Sequence, residues 1–499
     1  MIKRLSYLRE LFKVGLYRPM ILPEIVERKW KSTKRGEFAE KSLTDEETSV
    51  IYKRNDPNEN TTLRGHKEAG YPKGWPSRFD TQFKLMKVLG FVYYEWGKAI
   101  EFSQTGHYLA DTVSIDINNE GIISREIINP QNEQIAFMQA FAKHQRCNPF
   151  IRELNDNIPL ILLLEVIKKL NADDEYNGAG ISYKEIPLVI FWKNNDAEAL
   201  YQRIKLLRTE YGYTPSAEVI EDICVNEILG GFKKFKLKSV VSEYPDDFVR
   251  KMRMTGLISF RGGGRFVDIN HNEDKKIDYI LRNYTTYTKY TTTKDYFDYM
   301  STIEKELVEL GTVEISKNDA ARKLTQLIPY YSWDSIKVEL SHLVKRTSSC
   351  HDVLKFISAP ARLEFLIALA IKSKLPKVKV VPNYPCDDEG LPTSTAGGNN
   401  GDIECYETPN SILVEVTMAE GRQQTIMEVW PVSRHLEEFK GKHGFGESQC
   451  VFVAPSIFVD TKDQINWAND TKQVVIRPYK IVDFINYLES ATTLYCTNI

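Results

Sequence analysis

At 499 residues, with 66 Lys and Arg against 68 Asp and Glu, the chain is too long for one core and too balanced for a uniformly basic nucleic-acid coat. No apolar run reaches the ~18–20 residues of a membrane span, so no membrane partner is expected. Seven cysteines, scattered and never in a CxxC pair, point away from disulfides or structural zinc and toward a reducing cytoplasm, and the start lacks the apolar core of a secretory signal.

Residues 1–41 carry eleven Lys and Arg (3, 4, 9, 13, 18, 28, 29, 31, 34, 35, 41) against five Glu. Such an arm suits DNA phosphates, and equally a solvated amphipathic helix. Residues 42–80 are rich in turn signals. Within 77–111, Phe79, Phe83, Met86 and Leu89 recur at helical spacing and Gly90 stops the helix. Two short strands follow, 91–94 and 99–102, and the stretch closes on a Thr105-Gly106 turn. Helix then hairpin is the winged-helix pattern, in which the helix enters the major groove and the wing flanks the backbone. Arg78, Gln82, Lys84 and Lys87 form the polar face of that helix. The plainer reading is an ordinary helix–hairpin packing unit.

After apolar scaffold helices at 158–170 and 183–192, the design repeats at 243–270: helix, Thr255-Gly256 stop, strand, glycine turn, strand. Arg250, Lys251 and Arg253 lie on or near this helix, and Arg261 and Arg265 bracket Gly262-Gly263-Gly264. That turn lets the backbone approach something closely, but without a following Lys-Ser/Thr and a helix it is no nucleotide-binding loop. A Thr/Tyr-rich entry and short amphipathic helices mark 286–345 as a helical linker. Beyond it, a helix at 358–372 is apolar nearly all round and must be buried. Strands are expected at 378–381, 403–406, 411–417, 450–454 and 474–477, with a helix at 423–439 and a closing helix at 481–488. The loop 382–401 carries Asp387-Asp388-Glu389, read as solvated.

The C-terminal part also spaces Asp402, Glu415 and Glu428 thirteen residues apart each time, with His435 seven further on. Glu415 interrupts the apolar run Ile412-Leu413-Val414, where a charge is expensive unless it is paired or binds metal. Glu428 and His435 share a helix face. Each like-charge pair of carboxylates at ~4 Å costs roughly 4 kcal/mol at an effective dielectric near 20, so a converging set calls for a cation or raised pKa values. All-oxygen ligation favours Mg²⁺, with Mn²⁺ substituting. The alternative is that Asp402 caps a turn, Glu428 is a surface helix residue and only Glu415 is unusual.

Gly401-Asp402 on one strand and Glu415-Val416-Thr417 on the next resemble the PD-(D/E)xK nuclease core. With GRQQ, Glu428 and the PV-RHL run ending at Leu436, and a Glu on the preceding helix, the chain is similar to the AlwI family of type IIS restriction endonucleases and their nicking relatives. The resemblance covers about 350–460. It implies that Asp402 and Glu415 bind the metal, helped by Glu364 and the Val416 carbonyl. Glu428 then supports the metal or orients water, and His435 lines the site. It further implies a Mg²⁺-dependent enzyme cutting double-stranded DNA a short distance outside an asymmetric site. A prokaryotic cytoplasm, a cognate DNA methyltransferase, and transient pairing of catalytic domains or a second subunit for double-strand cleavage go with that. The superfamily's Lys two residues after the second acid is Thr417 in this chain.

The fold expected is multidomain α+β: winged-helix-like DNA-recognition modules at 1–145 and 146–285, a helical linker at 286–345, and an α/β PD-(D/E)xK nuclease domain with a mixed sheet at 346–499. The competing readings are a non-catalytic winged-helix DNA-binding protein with a degenerate nuclease domain, and a structure-specific DNA repair nuclease.

Overall fold

The computed structural model describes residues 84–93, 101–117, 123–127, 129, 131–151, 155–176, 178, 180–310, 316–397, 401–443 and 447–496. Arg78, Gln82 and the basic arm lie outside the described residues. The chain divides into two compact units, Met1–Ile158 with Thr286–Glu309, and Pro159–Thr285 with Leu310–Ile499. Among the described residues no helix is long and apolar enough to cross a membrane.

In the first unit Val92–Tyr93 pairs antiparallel with Glu101–Phe102, as the hairpin pattern predicts. Gly90 ends the preceding helix at φ +77, and a Cβ there would lie 2.4 Å from that of Met300. Two expectations fail here. Thr105-Gly106 is no turn: it lies inside the helix Gln104–Ala110, whose cap Ser103 takes the Gly106 N–H on its hydroxyl at 2.8 Å. Lys87 does not face solvent. It is buried, its ammonium 4.8 Å from the Tyr93 ring centroid and 5.2 Å from that of Phe150, because its stem sits on the apolar side of the helix.

The second unit holds the two long apolar runs and both larger sheets. Its elements begin with α1 (Pro159–Ala172), β1 (Ile181–Ser182), α2 (Ile186–Phe191) and α3 (Ala197–Tyr211). Then come α4 (Tyr244–Arg253) and the hairpin β2 (Ile258–Arg261) and β3 (Phe266–Ile269), which β1 extends to three strands in the order β1-β3-β2. The glycine turn approaches its own chain: a Cβ on Gly264, at φ +91, would sit 3.0 Å from Val353 Cγ2. Phe260 stacks on Phe356 at 5.2 Å, and Arg250 donates to the Lys355 carbonyl at 2.8 Å. The hairpin is therefore packed against 352–356, the stretch just before the last of three C-terminal helices.

Those are α5 (Lys317–Leu327), α6 (Trp333–Val344) and α7 (Ala359–Lys374). After α7 the chain builds β4 (Lys379–Pro382), β5 (Ile403–Glu407), β6 (Asn410–Val416), α8 (Arg422–His443), β7 (Ser448–Ala454), α9 (Val459–Lys472), β8 (Ile476–Lys480) and α10 (Ile481–Ser490). The sheet runs β8-β7-β6-β5-β4, parallel across β6, β7 and β8 and antiparallel at β5 and β4. This is the mixed sheet expected from the pattern. Its central parallel strands β6 and β7 are mostly apolar and buried because both faces are covered. On one side Val429, Val432 and Leu436 of α8 and Ile465 and Ala468 of α9 pack on Leu413, Cys450 and Phe452. The helix α9 was not expected. It buries only Thr461, Ile465 and Ala468, so its inward stripe is too thin to read.

Candidate active site

Central strand β6 delivers Glu415, and its antiparallel neighbour β5 is preceded by Asp402. Asp402 is held by an N–H: Val416 donates to its Oδ2 at 2.8 Å. Gly401 is required for clearance, since a Cβ there would fall 2.3 Å from Leu413 Cδ1 and 2.8 Å from Glu415 Oε1. Glu415, buried at 6 % exposure, lies with Oε1 3.0 Å from His435 Nδ1 of α8. Glu364, buried on α7, accepts the Ala396 N–H on Oε2 at 2.9 Å. One helical face of α8 thus brings Glu428 and His435 to the sheet, as the seven-residue spacing predicts.

The four acids act on one another. Loss of hydration, then the charges of Glu364 and Glu415, with Glu428 further off, drive Asp402 well above the usual carboxylate range, against the pull of the Val416 N–H. Burial first, with Glu415 adding to it against the Ala396 N–H, pushes Glu364 up to about 8. Perturbation of this kind, by burial and neighbouring acids together, is more common at functional sites than at a turn cap or on a surface helix. Among the described residues no three His, Cys, Asp or Glu side chains are already gathered tightly enough to hold a metal ion. The donor chemistry nevertheless fits a hard cation: carboxylate oxygens whose crowding a cation relieves.

Thr417, where the superfamily has Lys, donates its hydroxyl to Glu428 Oε1 at 2.8 Å and accepts the Ala419 N–H at 2.9 Å. Tyr384 went unremarked in the sequence. It is enclosed beside the site, its hydroxyl has no hydrogen-bond partner among the described residues, and burial, then Cys386 and Glu364, raise its pKa. Nothing in its sequence context distinguishes it from a core tyrosine. Gln424 was missed too; its amide joins the Ala419 and Ser456 carbonyls and the Phe458 N–H, fixing the start of α8.

The residues expected to meet DNA are divided. Lys84, Arg250 and Arg265 are exposed. Arg253 is turned inward: its guanidinium reaches Asp387 at 2.7 Å and the carbonyls of Ile258, Leu391 and Pro392. Arg261 pairs with Asp388 at 2.5 Å and Glu389 at 3.1 Å. The acidic triplet is therefore no solvated loop. Asp387 is wholly buried against Arg253 at the end of α4, and Asp388 pairs with Arg261 of β2.

The chain matches the family described as AlwI restriction endonuclease over residues 86–347 and 324–486. No curated protein matches it. Among solved structures it is similar to the small subunit (R.BspD6I2) of the heterodimeric restriction endonuclease R.BspD6I, at 22 % identity over 36 % of this chain and 83 % of that one, with a TM-score of 0.26. It is also similar to restriction endonuclease FokI bound to DNA, at 12 % identity over 99 % of this chain and 95 % of that one, with a TM-score of 0.26. For FokI in a second structure the values are 11 %, 98 %, 95 % and 0.28.

Proposed function

Because this chain belongs to the AlwI restriction endonuclease family, we propose that it is a type IIS enzyme whose site at Asp402, Glu415, Glu364 and Glu428 hydrolyses DNA phosphodiesters with Mg²⁺. The observation that carries the reading is the convergence of charge on Asp402, whose carboxyl feels the other three acids at once. Asp402, Glu415 and Glu364, with the Val416 carbonyl, are the oxygen donors for the cation. When bound, it supplies a more acidic water and offsets charge on the phosphoryl oxygen.

The chain's own residues do the rest. The Val416 N–H fixes the Asp402 carboxylate, and His435 holds Glu415 by its Oε1. Thr417 orients Glu428, which is the group placed to hold the attacking water and take its proton. With Thr417 in place of Lys, positive charge at this point has to come from the cation. Base readout is assigned to the winged-helix-like modules, with exposed Lys84, Arg250 and Arg265 on phosphates. Cutting outside an asymmetric site, a partner methyltransferase and a prokaryotic cytoplasm complete the proposal.

The test is plasmid scission with Mg²⁺ and with EDTA. Asp402→Asn and Glu415→Gln each abolish cleavage while duplex binding stays near wild type. Full activity in both variants overturns the site. Binding by the wild-type chain with no metal-dependent scission overturns the enzymatic reading altogether.

A further inference from the structure

With Arg253 and Arg261 spent on Asp387 and Asp388, and Lys87 buried, half of the described cations first expected at DNA are engaged within the fold. Another stretch of the second unit keeps its cations exposed. Residues 230–238 read GGFKKFKLK, with four lysines and no acid in a chain whose net charge is −2. Lys233, Lys234, Lys236 and Lys238 are all exposed, while Phe235 and Leu237 between them are half-buried. Past Lys234 the side chains alternate as along a strand, apolar inward and cationic outward.

The loop is pinned at both ends. Phe235 packs edge-on against Phe191 of α2 at 5.3 Å and against Tyr244 of α4 at 6.4 Å. Gly231 donates to the Val225 carbonyl at 2.8 Å, and the Ser239 N–H to Lys236 at 2.8 Å. Gly230 and Gly231 turn the chain at φ +68 and +70, and a Cβ on Gly230 would meet nothing within 4 Å. The turn therefore projects into open space. Phe232, next in line, is 56 % exposed. Lys238 has Glu243 at 3.5 Å, but both groups are largely exposed; Lys233, Lys234 and Lys236 form no ion pair among the described residues.

A solvated surface ordinarily mixes both signs, whereas here four lysines without an acid stand together on a fixed support beside an exposed ring. We infer that 230–238 is a binding surface for the phosphate backbone of duplex DNA, with Phe232 lying on the apolar sugar edge. The inference rests on the endonuclease reading and gives it a contact surface. Because the lysines stand on a fixed support, little loop ordering opposes binding. Each phosphate they neutralise releases counterions, which makes the contribution measurable by salt.

The experiment uses the full chain in EDTA, so that no cutting occurs, with a fluorescent random-sequence duplex of about 30 bp titrated from about 50 to 200 mM NaCl. Lys233→Gln/Lys234→Gln/Lys236→Gln should lower the magnitude of the slope of log K against log salt by about 2–3, at roughly 0.9 per phosphate contact. Its melting temperature should match wild type, since the replaced side chains are exposed. Phe232→Ala should weaken binding with the slope unchanged. Wild-type affinity and slope in the triple variant overturn the inference. So does a triple variant that keeps duplex affinity but loses binding to phosphatidylserine vesicles, which makes the surface a membrane one. If the wild-type chain binds no duplex at all, the endonuclease reading falls as well.

Discussion

Glu364 shows what the candidate site costs the fold. Its carboxyl is buried on α7, and burial, then Glu415, hold its pKa near 8. An unfolded Glu titrates at about 4.3. Below that pH both states are protonated and the group is neutral to stability. As pH rises, the unfolded chain ionises first and is favoured, up to the folded pKa, where the penalty levels off. Glu364→Gln keeps an acceptor for the Ala396 N–H and removes the charge. Its stability in EDTA should therefore exceed wild type by roughly 3–4 kcal/mol at pH 7, with the gain vanishing near pH 4, while cleavage is lost. Denaturant unfolding at the two pH values checks it; a variant less stable than wild type at pH 7 contradicts the placement. Thr417 allows a second check. Thr417→Val removes the hydroxyl that aims Glu428, so cleavage rate should fall about 10-fold or more with duplex affinity unchanged. Glu415 was legible in the sequence because an acid inside an apolar run has few explanations. Lys87 and Arg253 were misread because a short basic helix does not announce that aromatic rings or a distant carboxylate await its cations.

At the scale of elements, the β2–β3 module is bolted to the loop that leads into the site. Arg253 and Asp387 are 4 % and 0 % exposed, and Arg253 also serves the Leu391 and Pro392 carbonyls, five and four residues before Ala396. Removing one partner strands a buried charge. Arg253→Met should cost about 3–5 kcal/mol, and Arg253→Met/Asp387→Leu should recover most of it, as replacing a whole buried pair usually does. Urea unfolding of the single and double variants measures both. An equal loss in the two shows that packing, not charge, holds this joint. The strands of the C-terminal sheet were legible to within two or three residues because buried parallel strands are continuous apolar runs. The helix α9 was not, with only Thr461, Ile465 and Ala468 facing inward. Its signal lay elsewhere: β7 and β8 pair in parallel, and a parallel pair needs a crossover connection. The inward turn of Arg261 was illegible for a related reason. Its partner Asp388 lies 127 residues away, in a loop whose composition reads as solvated.

For the whole molecule, the described residues hold one set of converging carboxylates, and the two strands of a duplex present scissile phosphates of opposite polarity. A single set therefore faces one phosphate at a time. Supercoiled plasmid should be converted first to open circles, at a rate proportional to enzyme. Linear DNA, where it forms, should follow and rise more steeply with enzyme concentration, since a second chain has to supply the second set. Adding excess Asp402→Asn protein separates the two events. Recruited as the second chain, it brings no working site, so nicking by the wild-type chain continues while linear product falls. Gel time courses at several enzyme concentrations, with and without the variant, read this directly. Linear DNA as the first product, with no open-circular precursor, means that one chain cuts both strands in one encounter and that the site described is not its only one.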